Sequence, residues 1–283
     1  MSDILAQTRE LCRLYNIKPQ HSLGQNFLIN SNIYEEIINK SELKKEDLVL
    51  EIGPGFGFLT SRLARKSKKV IAVDLDKSIT DVLKIALVSQ EIENVEIINE
   101  NILDFDSSDY FEKIKDNYKI VANLPYNITS IFLRKFLSHP SKPDLMVLLL
   151  QKEVAERIVA KPGKMSLLSL SVQYYSEPEL IEIVKNDNFW PSPKVDSAII
   201  KLRIKKSFIL KEKEEDVFFR LLKFGFSSKR KMLKNNLSNA LKISSLEIEK
   251  RLLENGLDAK VRAQNLGLND WEKLFGAFKK FML

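Results

Sequence analysis

The tetrapeptide Asn123-Leu124-Pro125-Tyr126 combines residue types that could act on an aromatic amine. The lone pair of an adenine amino group is delocalised into the ring, so the nitrogen reacts poorly unless acceptors hold its two hydrogens. The side-chain oxygen of Asn123 and the carbonyl of Leu124 can be those acceptors, and Pro125 stiffens the loop without adding a donor. Tyr126 offers a flat face on which an extruded base can stack. The tetrapeptide therefore indicates chemistry on an adenine amine.

A glycine-rich turn indicates a second ligand. Gly53-Pro54-Gly55-Phe56-Gly57 follows a β-rich run and precedes a helical pattern, and glycines in such a turn let a ligand approach the backbone closely. The dinucleotide fingerprint would require a further glycine at position 58, which is Phe58. The turn therefore suits a thioether cofactor better than a pyrophosphate.

Polar residues at the ends of the next two predicted strands complete a nucleoside pocket. Asp74 ends the second strand, 21 residues after Gly53, where a carboxylate can accept hydrogen bonds from both hydroxyls of a ribose. Asn101 follows the third strand and is placed to meet the edge of an adenine. For transfer between the two ligands, the glycine turn and the tetrapeptide must open onto a common cleft.

These residues require a sheet to position them, and the first 200 residues alternate β-rich runs with helical patterns. This alternation predicts an α/β fold with a Rossmann-like parallel sheet and helices on both faces. The predicted strands are 48–52, 70–74, 95–99, 120–123, 145–150 and 197–204, with a further candidate at 178–184. The predicted helices between them include 59–67, 79–87, 128–137 and 152–160.

Only helical patterns follow residue 214, at 214–226, 230–240, 245–254 and 271–281. We therefore predict a catalytic α/β domain over residues 1–208 and a small all-α domain over residues 209–283. Charge follows this division, because residues 1–200 hold 25 Lys and Arg against 28 Asp and Glu, whereas residues 201–283 hold 20 against 10. A concentrated positive surface attracts polyanions. The alternative is a solvated, lysine-rich helix face.

The composition is typical of a folded cytoplasmic protein. It is 44% hydrophobic and 29% charged, and no apolar run approaches the roughly 20 residues that cross a bilayer. The N-terminus lacks the apolar core of a secretory signal. Cys12 is the only cysteine, and His21 and His139 are not near a serine or cysteine motif, so we expect no disulfide, metal site or hydrolase nucleophile. Nothing indicates an oligomer, so a monomer is expected.

Further motifs occur in a fixed order along most of the chain. Besides the tetrapeptide, which is of the (N/D)-P-P-(Y/F) type with leucine second, they are Gln25-Asn26-Phe27-Leu28, Glu51-Ile52-Gly53-Pro54-Gly55, Gln151-Lys152-Glu153-Val154-Ala155-Glu156-Arg157, Phe189-Trp190-Pro191-Ser192-Pro193-Lys194-Val195-Asp196-Ser197, Lys229-Arg230-Lys231-Met232-Leu233, Asn235-Asn236-Leu237 and Arg262-Ala263. In these motifs the chain resembles the ribosomal RNA adenine N6-dimethyltransferases, and among them the bacterial enzymes that act on 16S rRNA.

The resemblance implies a class I methyltransferase fold and S-adenosylmethionine as the cofactor. The positions that would bind it are Asn26, Leu28, Gly53, Gly55, Asp74, Asn101 and Asn123. Asn26 and Leu28 would close over the cofactor, Gly53 would contact its methionine part, Asp74 its ribose and Asn101 its adenine. The family usually has glutamate at position 74 and aspartate at position 101. We expect cofactor binding to survive both changes.

The resemblance also assigns residues to the target. Asn123 would bridge the cofactor and the target amine, and Phe189 would form with Tyr126 an aromatic sandwich around the adenine. Leu124 and Pro125 complete the predicted catalytic set. The predicted RNA contacts of the helical domain are Lys229, Arg230, Lys231 and Lys234.

The function implied is dimethylation of the N6 amines of two adjacent adenines in a 3′-terminal hairpin of 16S rRNA. The substrate would be the 30S subunit or its precursor, and the modification would accompany subunit biogenesis. Two alternatives remain: a 23S rRNA adenine methylase of the macrolide-resistance type, and a non-catalytic assembly factor that clamps RNA. The run at 194–198 favours the small-subunit enzyme, and the intact tetrapeptide argues against a purely structural role.

Overall fold

The computed structural model describes residues 3–20, 23–111, 118–208, 210 and 212–282. Its strands are β1 (Phe27–Leu28), β2 (Leu48–Ile52), β3 (Lys69–Asp74), β4 (Val95–Asn99), β5 (Tyr118–Asn123), β6 (Leu145–Gln151), β7 (Ser176–Val184), β8 (Phe189–Trp190) and β9 (Ser197–Ile204). Its helices are α1 (Ile4–Leu14), α2 (Ser31–Lys40), α3 (Phe58–Lys66), α4 (Lys77–Ser89), α5 (Ser108–Phe111), α6 (Thr129–Ser138), α7 (Lys152–Ile158), α8 (Leu167–Tyr175), α9 (Glu212–Gly225), α10 (Leu233–Leu241), α11 (Ser245–Glu254) and α12 (Leu268–Phe278). Within the described residues, no helix combines the length and apolar character needed to cross a bilayer.

Seven strands form one sheet in the order β4-β3-β2-β5-β6-β9-β7. The first five of these run parallel, and β9 pairs antiparallel with β6. The chain adds β3 and β4 on one side of β2 and then continues with β5 on the other side. In such a sheet the crevice at the carboxyl ends of the two strands flanking the reversal is the usual ligand site. The predicted α/β fold with a Rossmann-like sheet is confirmed.

Burial explains why the central strands could be recognised as continuous apolar runs. Val49, Val70, Ile120 and Val147 each have 0% exposure, and every residue of β2 is buried. Strands covered by helices on both faces lose the polar alternation of half-exposed strands. The helices of the core contribute matching apolar faces, for example Leu63 of α3.

Contacts divide the chain into two compact units, Met1–Ala155 with Glu177–Ile204, and Glu156–Ser176 with Lys205–Leu283. The second unit is helical, and its core includes Trp271, which has 0% exposure. A Cβ on Gly225 would lie only 2.2 Å from the Trp271 ring, so α9 needs glycine here. By contacts, residues 156–176 group with the C-terminal helices, whereas the predicted catalytic domain includes them. The functional division at residue 208 stays a prediction.

Candidate active site

The glycine turn and the tetrapeptide lie side by side at the carboxyl edge of the sheet. Ile52 pairs with Ala122 in the parallel β2–β5 ladder, so Gly53 and Asn123 leave adjacent strands at the same edge. A Cβ placed on Gly53 would lie 3.7 Å from the Asn123 carbonyl oxygen. The two turns share a cleft that encloses about 810 Å³, counting its open mouth. The predicted common cleft is therefore confirmed.

Seven of the residues selected from the sequence line this cleft, namely Asn26, Gly53, Gly55, Asp74, Asn101, Asn123 and Pro125. Gly53 and Gly55 have φ values of +64° and +56°, a left-handed conformation that side chains disfavour. The Gly53 N–H donates to the Val73 carbonyl over 3.0 Å, which ties the turn to β3. The backbone of the turn is thus exposed to a ligand and fixed in place.

Asp74 is held at the cleft by backbone donors. Its carboxylate accepts the N–H of Asp76 over 2.9 Å, and the N–H groups of Gly55 and Leu75 also bond to it. Burial raises the pKa of Asp74 to about 6, and these donors only partly oppose the shift. The acid is therefore connected to the glycine turn and carries its full charge only above pH 6.

The side chain of Asn101 is engaged within its own loop. Its oxygen accepts the Leu103 N–H over 3.0 Å, and its nitrogen donates to Asp104 over 2.9 Å. The ammonium of Lys135 on α6 donates to the carbonyls of Leu103 and Phe105, which anchors this loop. Asn101 lines the cleft with an amide that already has two partners, so its contact with a cofactor adenine stays a prediction.

Asn123 is oriented by a bond to the opposite wall of the cleft. Its side-chain nitrogen donates to the Asn26 carbonyl over 3.1 Å, so the side-chain oxygen is turned away from that carbonyl and available to a ligand. The next residue, Leu124, is buried and its N–H donates to Leu149 on β6 over 2.9 Å. The loop backbone is therefore rigid where the predicted acceptors lie.

Residues 23–28, which we call the strap, cross the cleft, and two of them, Gln25 and Phe27, make contacts although the sequence assigned them no role. The Gln25 side chain donates to Asp76 at the start of α4 over 2.8 Å. The Phe27 ring stacks on Phe56 of the glycine turn, with centroids 4.7 Å apart. Their only sequence signal was their place in the shared motif at 25–28. Between them, the Asn26 side-chain oxygen is buried and has no hydrogen-bond partner among the described residues.

Leu28 and Phe189 lie behind the cleft. They pair across the short β1–β8 ladder, and each is only 2% exposed. Leu28 lines a small adjoining cavity together with Glu51. Glu51 is a buried acid to which the sequence assigned no role, and burial raises its pKa to about 8. Because the ladder turns the Phe189 ring into the core, the ring presents no open face beside Tyr126. The predicted aromatic sandwich stays a prediction.

The predicted RNA contacts lie in the helical unit. Lys229, Arg230 and Lys231 are exposed and form a turn, which we call the basic turn, whereas the sequence predicted a helix from residue 230. The helix begins at Leu233 because the Asn236 side chain donates to the carbonyls of Gly225 and Ser228 and holds the preceding chain in a turn. Lys234 pairs with Glu249 over 2.5 Å, so its charge is largely offset.

The comparisons with known proteins decide the family. The family model described as "Ribosomal RNA adenine dimethylase" matches residues 16–280. The chain belongs to the ribosomal RNA adenine dimethylase family. The resemblance found in the sequence motifs is confirmed. This dimethylase is 41% identical over 271 residues to "Ribosomal RNA small subunit methyltransferase A" of Dehalococcoides mccartyi strain CBDB1, a match that covers 96% of this chain and 92% of the relative.

Two solved structures share its architecture. The dimethyladenosine transferase of Plasmodium falciparum superposes with a TM-score of 0.76 at 30% identity, covering 90% of this dimethylase and 98% of that chain. The 23S rRNA methyltransferase ErmE superposes with a TM-score of 0.74 at 25% identity, covering 90% and 100%. The similarity therefore extends over nearly the whole length of both proteins.

The cofactor of this dimethylase is S-adenosylmethionine, and the cleft fits it. The unpartnered oxygen of Asn26 calls for a donor, because buried polar atoms are almost always hydrogen-bonded. The buried Asp74 carboxylate is a suitable acceptor for ribose hydroxyls. The glycine turn leaves open the space where a Cβ of residue 53 would stand. The cleft thus presents hydrogen-bond acceptors and exposed backbone groups to a nucleoside, and these groups do not require the ligand to carry a phosphate.

Proposed function

We propose that this dimethylase adds two methyl groups to the N6 amine of each of two adjacent adenines in the 3′-terminal hairpin of 16S rRNA. Its substrate is the 30S subunit or its precursor in the cytoplasm, it acts as a monomer, and the modification accompanies subunit biogenesis. The observation that carries adenine methylation is the shared cleft of Gly53 and Asn123. The small-subunit substrate is supported by the name of the 41% identical relative.

On the cofactor side, residues of the chain bind and orient S-adenosylmethionine. Asn26 of the strap, Gly53, Asp74 and the Asn101 loop hold S-adenosylmethionine, with Leu28 behind the cleft. Gln25 and the Asn26–Asn123 bond keep the strap over the cleft. When bound, the cofactor supplies a methyl group already activated by a positive sulfur, so alignment is the main demand on the protein.

On the target side, the tetrapeptide holds the amine. The Asn123 side-chain oxygen and the Leu124 carbonyl accept the two amine hydrogens and direct the nitrogen lone pair toward the methyl group. Pro125 keeps the loop in shape, and Tyr126 receives the extruded base. Phe189 completes the aromatic sandwich if its buried ring turns out of the core when the base enters. The nitrogen becomes cationic on accepting the methyl group, so its proton can leave to water without a strong base.

RNA affinity is assigned to the helical domain over residues 209–283. The basic turn supplies three exposed cations, and Lys234 contributes less because Glu249 pairs with it. Recognition of folded RNA rests largely on shape and phosphate contacts. The basic turn suits such contacts better than base readout.

Cofactor affinity should fall as the pH drops through about 6. If ribose hydroxyls bond to the ionised Asp74 carboxylate, protonation competes with binding, and a raised pKa of about 6 places the loss between about pH 7 and pH 5. At about pH 5 we expect about tenfold weaker binding of S-adenosylhomocysteine by calorimetry. Glu51, with a pKa of about 8, stays mainly protonated throughout this range.

Asp74→Asn is the matched control for this pH dependence. The amide cannot ionise, so its binding should be weaker at pH 7 and nearly constant with pH. A wild-type affinity that is also constant between these pH values would remove Asp74 from the ribose site.

The proposed substrate is tested by a methyl-transfer assay with radiolabelled S-adenosylmethionine. Small subunits lacking the modification should accept about four methyl groups each, two on each of two adenines, and deproteinised large-subunit RNA should accept none. Label in the large-subunit RNA alone would assign the chain to the macrolide-resistance type. Tight binding to small subunits without any transfer would identify a non-catalytic clamp.

A further inference from the structure

The first residue of β9 contacts the tetrapeptide from outside the cofactor cleft. The Ser197 hydroxyl lies 2.6 Å from the Tyr126 hydroxyl, within hydrogen-bond distance. Ser197 has 0% exposure, whereas Tyr126 is partly exposed. We propose that Ser197 is a positioning residue for methyl transfer, because it fixes the ring on which the target adenine stacks. This inference rests on the proposed function, which gives Tyr126 that stacking role.

Ser197 is itself held rigidly by the sheet. It pairs with Gln151 at the end of the antiparallel β6–β9 ladder. The preceding residue, Asp196, accepts the N–H of Lys152 through its backbone carbonyl over 3.0 Å. The Asp196 carboxylate also bonds to the Lys185 ammonium over 3.0 Å. The Ser197 hydroxyl is therefore a fixed point against which another side chain can be oriented.

The Tyr126 ring needs such a fixed point. The bond from Leu124 to β6 and the bond from the Thr129 hydroxyl to the Tyr126 carbonyl, 3.3 Å long, restrain the loop backbone but leave the ring free to rotate. Among the described residues, no aromatic ring stacks on Tyr126. Its hydroxyl contact with Ser197 therefore restrains the ring from its far end without covering either of its faces.

The chemistry of the pair favours a permanent contact. Burial raises the pKa of Tyr126 above its ordinary value, so the phenol stays neutral at physiological pH, and either hydroxyl can donate to the other. A ring that is already positioned does not lose rotational freedom when the adenine stacks on it, and small errors of placement reduce rates strongly.

Two variants remove this bond from opposite sides. Ser197→Ala and Tyr126→Phe should each lower the single-turnover rate on small subunits by about tenfold, with the KM for S-adenosylmethionine unchanged. Since both remove the same contact, the double variant should be no slower than the slower single variant. Ser197→Thr restores a hydroxyl and should recover most of the rate.

Ser41→Ala is the matched control. Ser41 also has 0% exposure, and its hydroxyl donates to a backbone carbonyl, that of Ile37, over 2.7 Å. It should lose thermal stability comparable to Ser197→Ala without losing rate. A full rate for Ser197→Ala, or a double variant whose loss is the product of the single losses, would overturn the positioning role.

A separate variant tests the proposed function on which the inference rests. Tyr126→Ala should lose more activity than Tyr126→Phe, because it removes the stacking face as well as the hydroxyl. If Tyr126→Ala keeps the wild-type rate, the stacking role fails. If only Ser197→Ala keeps it, stacking stands and the Ser197 inference fails.

Discussion

Asn123→Ala is expected to lower the rate of methyl transfer about 10³-fold while changing cofactor affinity only a few-fold. The variant loses the side-chain oxygen proposed to hold an amine hydrogen, an interaction that strengthens as the nitrogen becomes cationic. Removing one preorganised polar contact from a reacting centre costs about 10²- to 10³-fold in rate. Cofactor affinity changes less, because the glycine turn and Asp74 are untouched.

Asn123→Asp distinguishes the role of the side-chain oxygen from that of the side-chain nitrogen. It keeps an acceptor for the amine but replaces the donor to the Asn26 carbonyl with a second acceptor. We therefore expect about tenfold weaker cofactor binding, because the carboxylate and the Asn26 carbonyl repel each other and displace the strap, whereas alanine only loses the bond. Transfer should still be measurable. Calorimetry gives the affinity and radiolabelled transfer the rate. Equal losses of affinity and rate in Asn123→Ala would contradict the proposed role.

The central strands of the sheet could be predicted from the sequence because they are covered on both faces. The predicted strands 48–52 and 197–204 have the same bounds in the structure, and so has the partly exposed edge strand 95–99. Continuous apolar runs bounded by turn residues mark such strands directly. The position of the cleft followed from the same information, since carboxyl ends of adjacent parallel strands meet at one edge.

Contacts between distant segments could not be predicted in this way. The ladder that joins Phe27–Leu28 to Phe189–Trp190 has two residues on each side, too few to show any periodicity. It also joins segments about 160 residues apart. This ladder buries Phe189, an effect of strand pairing that the sequence does not show, and the aromatic sandwich with Tyr126 stays a prediction.

The hydrogen bonds that polar side chains make within their own loops could not be predicted from the sequence either. Nothing in the sequence indicates that Asn101 bonds to Leu103 and Asp104, because an amide after a strand can serve its own loop or a ligand. Asn236 was only one member of a shared motif, yet its bonds to Gly225 and Ser228 decide where α10 begins. Side-chain bonds to the backbone thus set details that apolar patterns leave open.

Neutralising the basic turn should weaken RNA binding by about 10- to 100-fold near physiological salt. The triple variant Lys229→Gln, Arg230→Gln and Lys231→Gln removes three exposed cations, so the slope of log affinity against log salt concentration should fall by about 2 to 3. The turn should keep its shape, since Asn236 binds backbone carbonyls and none of the three side chains. Titration of labelled small-subunit RNA at several salt concentrations measures both quantities.

The informative control is a variant that has the same net charge as the first triple variant but keeps the basic turn intact. Lys250, Lys260 and Lys273 are exposed lysines of the same unit, and replacing all three with glutamine removes an equal charge. If counterion release occurs at the basic turn, only the first triple variant should lose slope, because screened charges away from the phosphates contribute little. Equal effects of the two variants would mean that net charge, and not this turn, attracts the RNA. An unchanged slope in the first variant would place the RNA contact elsewhere.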